Sequence, residues 1–235
     1  MDMSRRQTIE LSAGAVAALS LATMRPDVAT AQAAVATPPQ PDKLVETRLR
    51  PITDLPVNPD GSAKEFTEAE AGPIDGALWK TKGPPDIEFD YRKMKVKLDG
   101  RGTSTLSGTV TFSDLEKLPQ HTQITLLQCG APKPRGIVKW TGVRFSDFAK
   151  AVGAQSFANY ARLTASDDYY LDEDMKTMMH PQVMLAWMAN DKPLPPENGA
   201  PMRLVMPFRY GARSVKAITA IAFTATSFPP QKAWP

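Results

Sequence analysis

The residue best suited to chemistry in this sequence is Cys129, the only thiol among its 235 residues. It follows residues 122–128, a run of β-branched and apolar side chains that predicts a strand, and it precedes glycine and proline, which end a strand in an irregular loop. Loops at strand ends often present reactive groups, and the cations that follow at Lys133, Arg135 and Lys139 favour the thiolate. The residues alone leave two interpretations open: a reactive or metal-binding thiolate, and a small buried hydrophobic side chain.

A second group able to do chemistry is a set of cations that lie among glycines and prolines far downstream: Arg203, Arg209, Arg213 and Lys216. One interpretation is a solvated basic face. The other is an anion pocket, because guanidinium groups, the hydroxyl of Ser214 and backbone N–H groups around Gly211 suit a phosphate.

The composition excludes several classes of protein. A single cysteine allows no internal disulfide partner, no Cys-rich zinc or iron–sulfur site and no Cys-x-x-Cys-His haem attachment. Two histidines, His121 and His180, are too few for a typical transition-metal cluster. The net charge of +3 is spread along the chain, so nothing predicts a nucleic-acid partner.

Residues 1–33 are typical of an export signal. Arg5 and Arg6 precede a weakly apolar, alanine-rich run at residues 11–24 that is short for a membrane span, and Ala31-Gln32-Ala33 offers the small residues that a signal peptidase cleaves after. This segment resembles a twin-arginine signal, which predicts export to the periplasm; the alternative is a chance arginine pair before an alanine-rich helix. An unpaired thiol in that oxidising compartment indicates protection, reactivity or ligation.

The rest of the chain predicts one domain with tails. Residues 34–85, rich in proline, alanine and acidic residues, predict a linker and an N-terminal arm that wraps the domain, with Phe66, Leu78 and Trp79 as anchors. The domain covers residues 86–226, and residues 227–235 form a C-terminal tail. Strands and short helices mix without regular alternation, which favours the α+β class with mixed β-sheets.

Local patterns place the elements that must position these groups. Residues 94–98 and 106–112 predict a hairpin turning at Asp99-Gly100, and Ser113 with Glu116 predicts a helix N-terminus. Methionines near helical spacing indicate core packing rather than a metal site. The remaining predictions are helices at residues 145–152, 171–179 and 181–189, strands at residues 160–164 and 202–206, and a closing segment at residues 214–225.

The order of the motifs resembles the oxidoreductase molybdopterin-binding domain family, the fold of sulfite oxidases, assimilatory nitrate reductases and the periplasmic methionine sulfoxide reductase catalytic subunit. The resemblance spans residues 86–226, and its most specific parts are Arg203 and the block from Gly211 to Lys216. The matching segments are Cys129, Lys139-Trp140-Thr141-Gly142-Val143, Ser166-Asp167-Asp168-Tyr169, Asn198-Gly199-Ala200-Pro201-Met202-Arg203 and Tyr210-Gly211-Ala212-Arg213-Ser214-Val215-Lys216.

The resemblance implies a molybdenum–molybdopterin cofactor and a role for each matching residue. Cys129 would give its thiolate to the metal, since soft sulfur donors suit it. Thr164 or Ser166 would be a further cofactor contact. Apart from the resemblance, Tyr169, as a hydrogen-bond donor, and Arg209, as an anion attractor, are predicted for the substrate pocket, and the alternative is that both are ordinary surface residues. The pterin and its phosphate would be held by Asn198, Arg203, Ser214, Val215 and Lys216.

Departures from the family pattern leave the substrate class open. Gly-Ala-Pro-Lys-Pro follows Cys129 where the family usually has an asparagine with an arginine, or a tryptophan. Asn198 stands where sulfite oxidases tend to carry histidine, which favours the methionine sulfoxide reductases, whereas residues 211–216 are closer to sulfite oxidases. The residue of the N-terminal arm that contacts the cofactor cannot be picked out, and a single-domain catalytic subunit is expected.

The predicted function is a periplasmic molybdenum oxidoreductase. It would move an oxygen atom to or from a small sulfur- or nitrogen-centred molecule and exchange electrons with an external carrier, a cytochrome or a membrane quinone-linked subunit. The alternative is a module of the same fold that binds cofactor or an anion without turnover, which the altered loop after Cys129 motivates. A metal-free thiol enzyme is disfavoured, because no motif places a histidine to activate Cys129.

Overall fold

Two five-stranded β-sheets hold the functional residues in the computed structural model, which describes residues 55–79 and 83–226. The predicted export signal at residues 1–33 and the predicted tail at residues 227–235 lie outside the described residues. Within the described parts of the chain, helices are few and short, so the α+β prediction with mixed sheets is confirmed. None of the described helices has the length and apolarity that crossing a membrane requires.

The first sheet has the strand order β2-β1-β10-β5-β6. Its strands β1 and β2 form the antiparallel hairpin that the Asp99-Gly100 signal predicted, and β1 pairs in parallel with β10. The strands are β1 (Lys95–Asp99), β2 (Gly108–Thr111), β5 (Tyr160–Ala165), β6 (Tyr170–Asp174) and β10 (Ile218–Thr224). Alternating burial along β1 and β5 explains why their period-two pattern identified them as strands.

The second sheet is antiparallel and brings Cys129 next to the C-terminal cations. The long hairpin of β3 and β4 pairs along its whole length, and β7 lies between β4 and the short strands β8 and β9. The strands are β3 (Gln120–Gln128), β4 (Arg135–Arg144), β7 (Met184–Ala189), β8 (Lys192–Pro193) and β9 (Arg203–Val205). Cys129 is the first residue after β3, as predicted.

Three short helices connect these strands: α1 (Phe112–Leu115), α2 (Phe145–Ala151) and α3 (Met175–Met178). The predicted helix over 145–152 is confirmed, and Gly153 follows it with a φ of +70°. The cap predicted for α1 is wrong. Thr111 is the N-cap, and its backbone N–H donates to Asp114 at 2.9 Å, because the chain leaves β2 two residues earlier than the pattern indicated.

The two helices predicted between residues 171 and 189 are wrong. Residues 170–174 form β6, only Met175–Met178 is helical, and the predicted helix over 181–189 is β7. Strand β7 is covered on both faces, with Met188 its one partly exposed residue, so it carries no alternation to distinguish it from a buried helix. Its methionine, leucine and alanine favour helix locally, and pairing with β4 and β9 overrides that preference.

The main hydrophobic core joins the two sheets. Val96, Leu163 and Phe223 from the first sheet pack in one cluster with Leu185 and Leu204 from the second. A smaller cluster around Trp140, Leu127 and Val205 lies in the second sheet next to the C-terminal cations. The strand ends that carry functional residues are therefore fixed by packing on both sides.

The described part of the N-terminal arm, residues 55–79, lies against β3 and β4. Glu65 pairs with Thr125, and the N–H of Gly72 donates to the carbonyl of Ile137 at 2.8 Å. Asp75 then exchanges two backbone hydrogen bonds with Arg135. The arm consequently occupies the edge of β4 that β7 leaves free, and it directs residues 76–79 towards the end of β3.

Candidate functional site

A cavity of about 320 Å³ lies where the end of β3, the turn after β5 and the segments flanking β9 meet. It is lined by most of the residues that the sequence singled out: Cys129, Tyr169, Asn198, Arg203, Ser214, Val215 and Lys216. Because these come from four distant parts of the chain, the fold has brought the thiol and the cations into one site.

Cys129 lies in the wall of this cavity. Only 7% of the residue is exposed, so it is shielded from bulk solvent while still lining the cavity. Its N–H donates to the carbonyl of Pro134 at 3.0 Å. The side-chain amide of Gln128 donates to the carbonyls of Cys129, at 2.7 Å, and Ala131, at 3.2 Å. The loop after β3 is thereby closed by its own hydrogen bonds, which holds the thiol in place.

Arg203 is a buried cation without a carboxylate. The residue is 3% exposed, and its guanidinium donates to the backbone carbonyls of Asn198, at 2.8 Å, and Ser214, at 3.4 Å. The guanidinium carbon lies 4.9 Å from the centroid of the Trp140 ring. Burial lowers the pKa of Arg203 to about 10, so the group remains charged at neutral pH. A buried charge that no described carboxylate neutralises favours an anionic ligand.

Lys216 is a second cation in the same wall. Its ammonium donates to the carbonyl of Leu78 and lies 3.9 Å from the centroid of the Trp79 ring. Burial, and secondly the charge of Arg203, lower the pKa of Lys216 to about 8. No carboxylate among the described residues forms an ion pair with it. Because like charges repel, both cations are stabilised when an anion binds between them.

Gly199 allows the two cations to approach each other. It follows the 3₁₀ turn Pro196–Asn198 with a φ of +111°, a conformation that favours glycine. A Cβ there would lie 2.9 Å from Cγ of Lys216 and 3.2 Å from Cβ of Arg203. Any side chain at position 199 would therefore displace the cations.

Ser214 and Tyr169 shape the opposite wall. The hydroxyl of Ser214 accepts a hydrogen bond from the N–H of Met206 at 3.2 Å, which leaves its proton available for a ligand. The phenol of Tyr169 donates to the carbonyl of Ala212 at 2.6 Å, and burial raises its pKa. Tyr169 thus lines the cavity, with its hydroxyl bonded to the 3₁₀ turn Gly211–Arg213.

Three predicted site residues do not line the cavity. Thr164 lies within β5, where its carbonyl accepts from the hydroxyl of Thr219 at 3.2 Å. The N–H of Ser166 donates to the carbonyl of Ala217 at 3.0 Å, and its hydroxyl is buried without a partner. Arg209 is exposed, with its guanidinium carbon 6.0 Å from the centroid of the Phe208 ring.

The cavity also has a wall that sequence reasoning did not assign to the site. Ala77, Leu78 and Trp79 from the N-terminal arm line it, as does Asp167. Leu78 and Trp79 were predicted only as anchors of the arm. The only local signal was an aromatic residue in an otherwise small and acidic segment, and its position beside Lys216 depends on the path of the arm.

The residues present fit a cofactor that carries a soft metal and a phosphate. Cys129 offers a sulfur ligand, Arg203 and Lys216 offer positive charge that forms no ion pair with a described carboxylate, and Ser214 offers a hydroxyl. Among residues 55–79 and 83–226 no group of three His, Cys, Asp or Glu side chains could hold a metal ion. Of the residues that line the cavity, Cys129 is the one with a soft ligand atom, so it would bind the metal and an organic group would supply the other ligands.

Comparisons with known proteins lead to the same family. The family model described as oxidoreductase molybdopterin binding domain matches residues 82–234. The putative protein-methionine-sulfoxide reductase subunit YedZ1 of Azospira oryzae is 39% identical over 119 residues, 51% of this chain and 45% of that protein. The protein-methionine-sulfoxide reductase catalytic subunit MsrP of Xanthomonas campestris pv. campestris is 27% identical over 240 residues, 92% of this chain and 71% of that protein.

A solved structure shares the fold. The sulfane dehydrogenase SoxCD from Paracoccus pantotrophus superposes with a TM-score of 0.54 at 21% identity, over 60% of this chain and 40% of that chain. At this identity the likeness concerns the fold alone. The chain spans less than half of the length of the first relative and of this structure.

Proposed function

We propose, from the premise that this chain belongs to the oxidoreductase molybdopterin-binding domain family, that it is a molybdopterin-dependent oxidoreductase that transfers an oxygen atom. The observation that carries the proposal is the meeting of Cys129, Arg203 and Lys216 in one cavity. A thiol in one cavity with the buried Arg203 and the partly buried Lys216, neither of which forms an ion pair with a described carboxylate, suits a metal-bearing anion better than it suits apolar packing.

Four residues of the cavity would hold that group. When bound, the molybdenum cofactor supplies two-electron oxygen-atom transfer, and the protein supplies binding and orientation. The thiolate of Cys129 would bind the metal, and Arg203 with Lys216 would bind the phosphate. The hydroxyl of Ser214 would donate to the cofactor, since its own oxygen already accepts from Met206. The closed loop after β3 would hold the sulfur in one orientation.

The favoured substrate is the sulfoxide of methionine, free or within a protein. Two relatives carry that activity in their names. The apolar side chains of Leu78, Leu127 and Val215 in the cavity wall suit the methyl and methylene groups of methionine sulfoxide better than they suit a sulfite dianion. Asn198, in the position where sulfite oxidases tend to carry histidine, agrees with this choice.

The proposal extends to the location of the chain and to its electron partner. The arginine pair and alanine-rich run at residues 1–33 favour export by the twin-arginine route to the periplasm. Electrons would come from an external carrier, a cytochrome or a membrane quinone-linked subunit. Fractionation of cells that produce the full chain tests the location, and a lysine pair in place of Arg5 and Arg6 is expected to block export.

The experiment that tests the proposed activity compares the full-length protein with Cys129→Ser. We expect about one molybdenum and one pterin per chain, and reduction of methionine sulfoxide by the protein with an artificial electron donor. Cys129→Ser should keep pterin, because Arg203 and Lys216 remain, and lose activity by at least on the order of a hundredfold. Undiminished activity with molybdenum retained in the variant would contradict the assignment of Cys129.

A second candidate is a cofactor- or anion-binding module without turnover. It is favoured by the loop after β3, where Gly-Ala-Pro-Lys-Pro follows Cys129 in place of the residues that the family usually has there. A protein that retains molybdenum and pterin, yet turns over neither methionine sulfoxide nor sulfite with artificial redox partners, would support this candidate over the enzyme.

A further inference from the structure

We propose that Trp79 is a positioning residue of the cofactor pocket, which holds the ammonium of Lys216 at the cavity wall and, with Leu78, closes the pocket on the side of the N-terminal arm. The identity of the anion rests on the proposed function. The contact between Trp79 and Lys216, and its effect on anion binding, can be tested without knowing which anion the protein binds.

The arm is fixed immediately before this contact. Asp75 exchanges backbone hydrogen bonds of 2.7 and 3.0 Å with Arg135 of β4, and its carboxylate pairs with Lys133 at 2.8 Å. Gly76 then turns the chain with a φ of +85°. A turn at this point brings residues 77–79 across the cavity, and all three line it.

Trp79 is held at its other end by the segment that carries Asn198. Its indole N–H donates to the carbonyl of Glu197 at 3.2 Å, which places the ring beside the turn that ends at Gly199. Lys216 packs against Gly199, and its ammonium lies 3.9 Å from the centroid of the Trp79 ring. The indole thus connects the arm, the Asn198 turn and the cation.

The contact leaves Lys216 able to bind an anion. An ammonium has three N–H donors, and the carbonyl of Leu78 accepts one of them. The face of the indole stabilises the positive charge without using a lone-pair acceptor. At least one donor remains for a phosphate oxygen even when another points at the indole face, so Trp79 and a phosphate can engage the same ammonium at once. Without the indole, the ammonium would lose a favourable neighbour in a site where burial and Arg203 already oppose its charge.

The exposure of Leu78 indicates that a bound cofactor helps to hold the N-terminal arm against the cavity. Its side chain lines the cavity and yet the residue is 59% exposed, one of the few large hydrophobic residues of the described chain left so exposed. A cofactor in the cavity would cover part of this apolar surface, which stabilises the arm in its closed position. The arm would accordingly slow release of the bound cofactor.

The first experiment measures cofactor release from the full-length protein loaded with its cofactor. Trp79→Phe keeps an aromatic face, and Trp79→Leu keeps only an apolar side chain. Phe157→Leu is the matched control, since Phe157 is an exposed aromatic residue, 53% exposed, that does not line the cavity. We expect release of pterin and molybdenum during dialysis to be roughly three- to thirtyfold faster in Trp79→Leu and close to the native rate in Phe157→Leu. Trp79→Phe should fall between the native protein and Trp79→Leu, because it keeps the aromatic face and loses the hydrogen bond to Glu197.

The second experiment asks whether Trp79 acts through Lys216. Inorganic phosphate is titrated by calorimetry into cofactor-free full-length protein carrying Trp79→Leu, Lys216→Met, both or neither. We expect Trp79→Leu to weaken phosphate binding when Lys216 is present and to have no further effect when Lys216 is replaced. Trp79→Phe should restore most of the affinity.

The outcomes separate this proposal from the proposed function. The role of Trp79 would be overturned if Trp79→Leu lost the same phosphate affinity with Lys216 present as with Lys216→Met. It would also be overturned if Trp79→Phe and Trp79→Leu changed phosphate affinity and cofactor release equally. Absence of molybdenum and pterin from the native protein would overturn the proposed function. The phosphate titrations of the single and double variants would then remain as the test of Trp79. If the native protein bound neither cofactor nor phosphate, both proposals would fail. Should Trp79→Leu lower the melting temperature strongly, Trp79→Gln serves as the non-aromatic variant.

Discussion

The carboxylate of Glu173 accepts a hydrogen bond of 2.6 Å from the guanidinium of Arg213. Glu173 lies on β6 with 8% of its side chain exposed, and Arg213 ends the 3₁₀ turn that forms one wall of the cavity. The turn is held a second time by the hydroxyl of Tyr169, which donates to the carbonyl of Ala212. The first sheet thus fixes the position of Ser214, the residue that follows this turn.

Glu173→Gln should loosen the turn and lower cofactor occupancy. The variant loses the charge that attracts Arg213, and because Arg213 is partly exposed the expected loss of stability is about 1 kcal/mol. Asp172→Asn is the matched control. Asp172 lies beside Glu173 on β6 and pairs with Arg162 of β5 at 2.5 Å, and neither Asp172 nor Arg162 lines the cavity. Thermal melts and molybdenum content measure the two effects. Equal losses of molybdenum in both variants would contradict a specific role for Glu173.

Tyr169→Phe distinguishes two roles for the phenol. If the hydroxyl serves only to hold Ala212, its removal should cost about 1 kcal/mol of stability and increase cofactor loss, while turnover per bound molybdenum stays unchanged. If it donates to the substrate, as the sequence predicted, turnover per molybdenum should fall instead. Activity normalised to molybdenum content separates these results. A change in neither quantity would count against both roles.

Arg203→Lys should weaken cofactor binding despite keeping the charge. The guanidinium reaches the carbonyls of Asn198 and Ser214 at once, and a single ammonium cannot reproduce that planar fork. The expected loss of affinity is on the order of tenfold to a hundredfold. Arg209→Lys is the control, because Arg209 is exposed and does not line the cavity. Cofactor content after gel filtration measures the difference. A greater loss in Arg209→Lys than in Arg203→Lys would reverse the assignment.

Anion binding to the cofactor-free protein should weaken above about pH 8, the pKa of Lys216. Sulfate is a suitable probe, because its charge is constant over this range. Binding favours the protonated ammonium, so affinity should be constant below pH 8 and fall by up to about tenfold per unit above it. In Lys216→Arg the fall should move to higher pH. An equal fall near pH 8 in native protein and in Lys216→Arg would show that another group titrates.

The same pKa fixes the sign of the effect on stability. The pKa of Lys216 in the folded, ligand-free protein, about 8, lies below the ordinary value of 10.5. The unfolded chain therefore binds more protons between these two values, and the contribution of Lys216 to the free energy of unfolding rises with pH across that window. Denaturant melts of the cofactor-free protein at pH 8 and pH 10 measure this contribution when they are compared with melts of Lys216→Met.

The sequence by itself determined the elements whose signals are local. The alternating pattern of β1 and β5, the strand that ends at Cys129 and the helix over 145–151 all follow from side-chain periodicity and turn residues. The order of motifs also identified Cys129, Arg203 and Lys216 as one set, and these residues do line one cavity. A single sequence contains these signals because each periodic pattern, turn or motif is formed by residues that are close together along the chain.

Only the tertiary structure decided which groups meet. Strand β7 has the composition of a helix and is extended because β4 and β9 pair with it. The exposed position of Arg209, the bond from Tyr169 to Ala212 and the closure by Trp79 likewise depend on how two sheets and the arm pack. Residues 79, 129, 203 and 216 are far apart in the chain, so their contacts arise from long-range packing that no local pattern records.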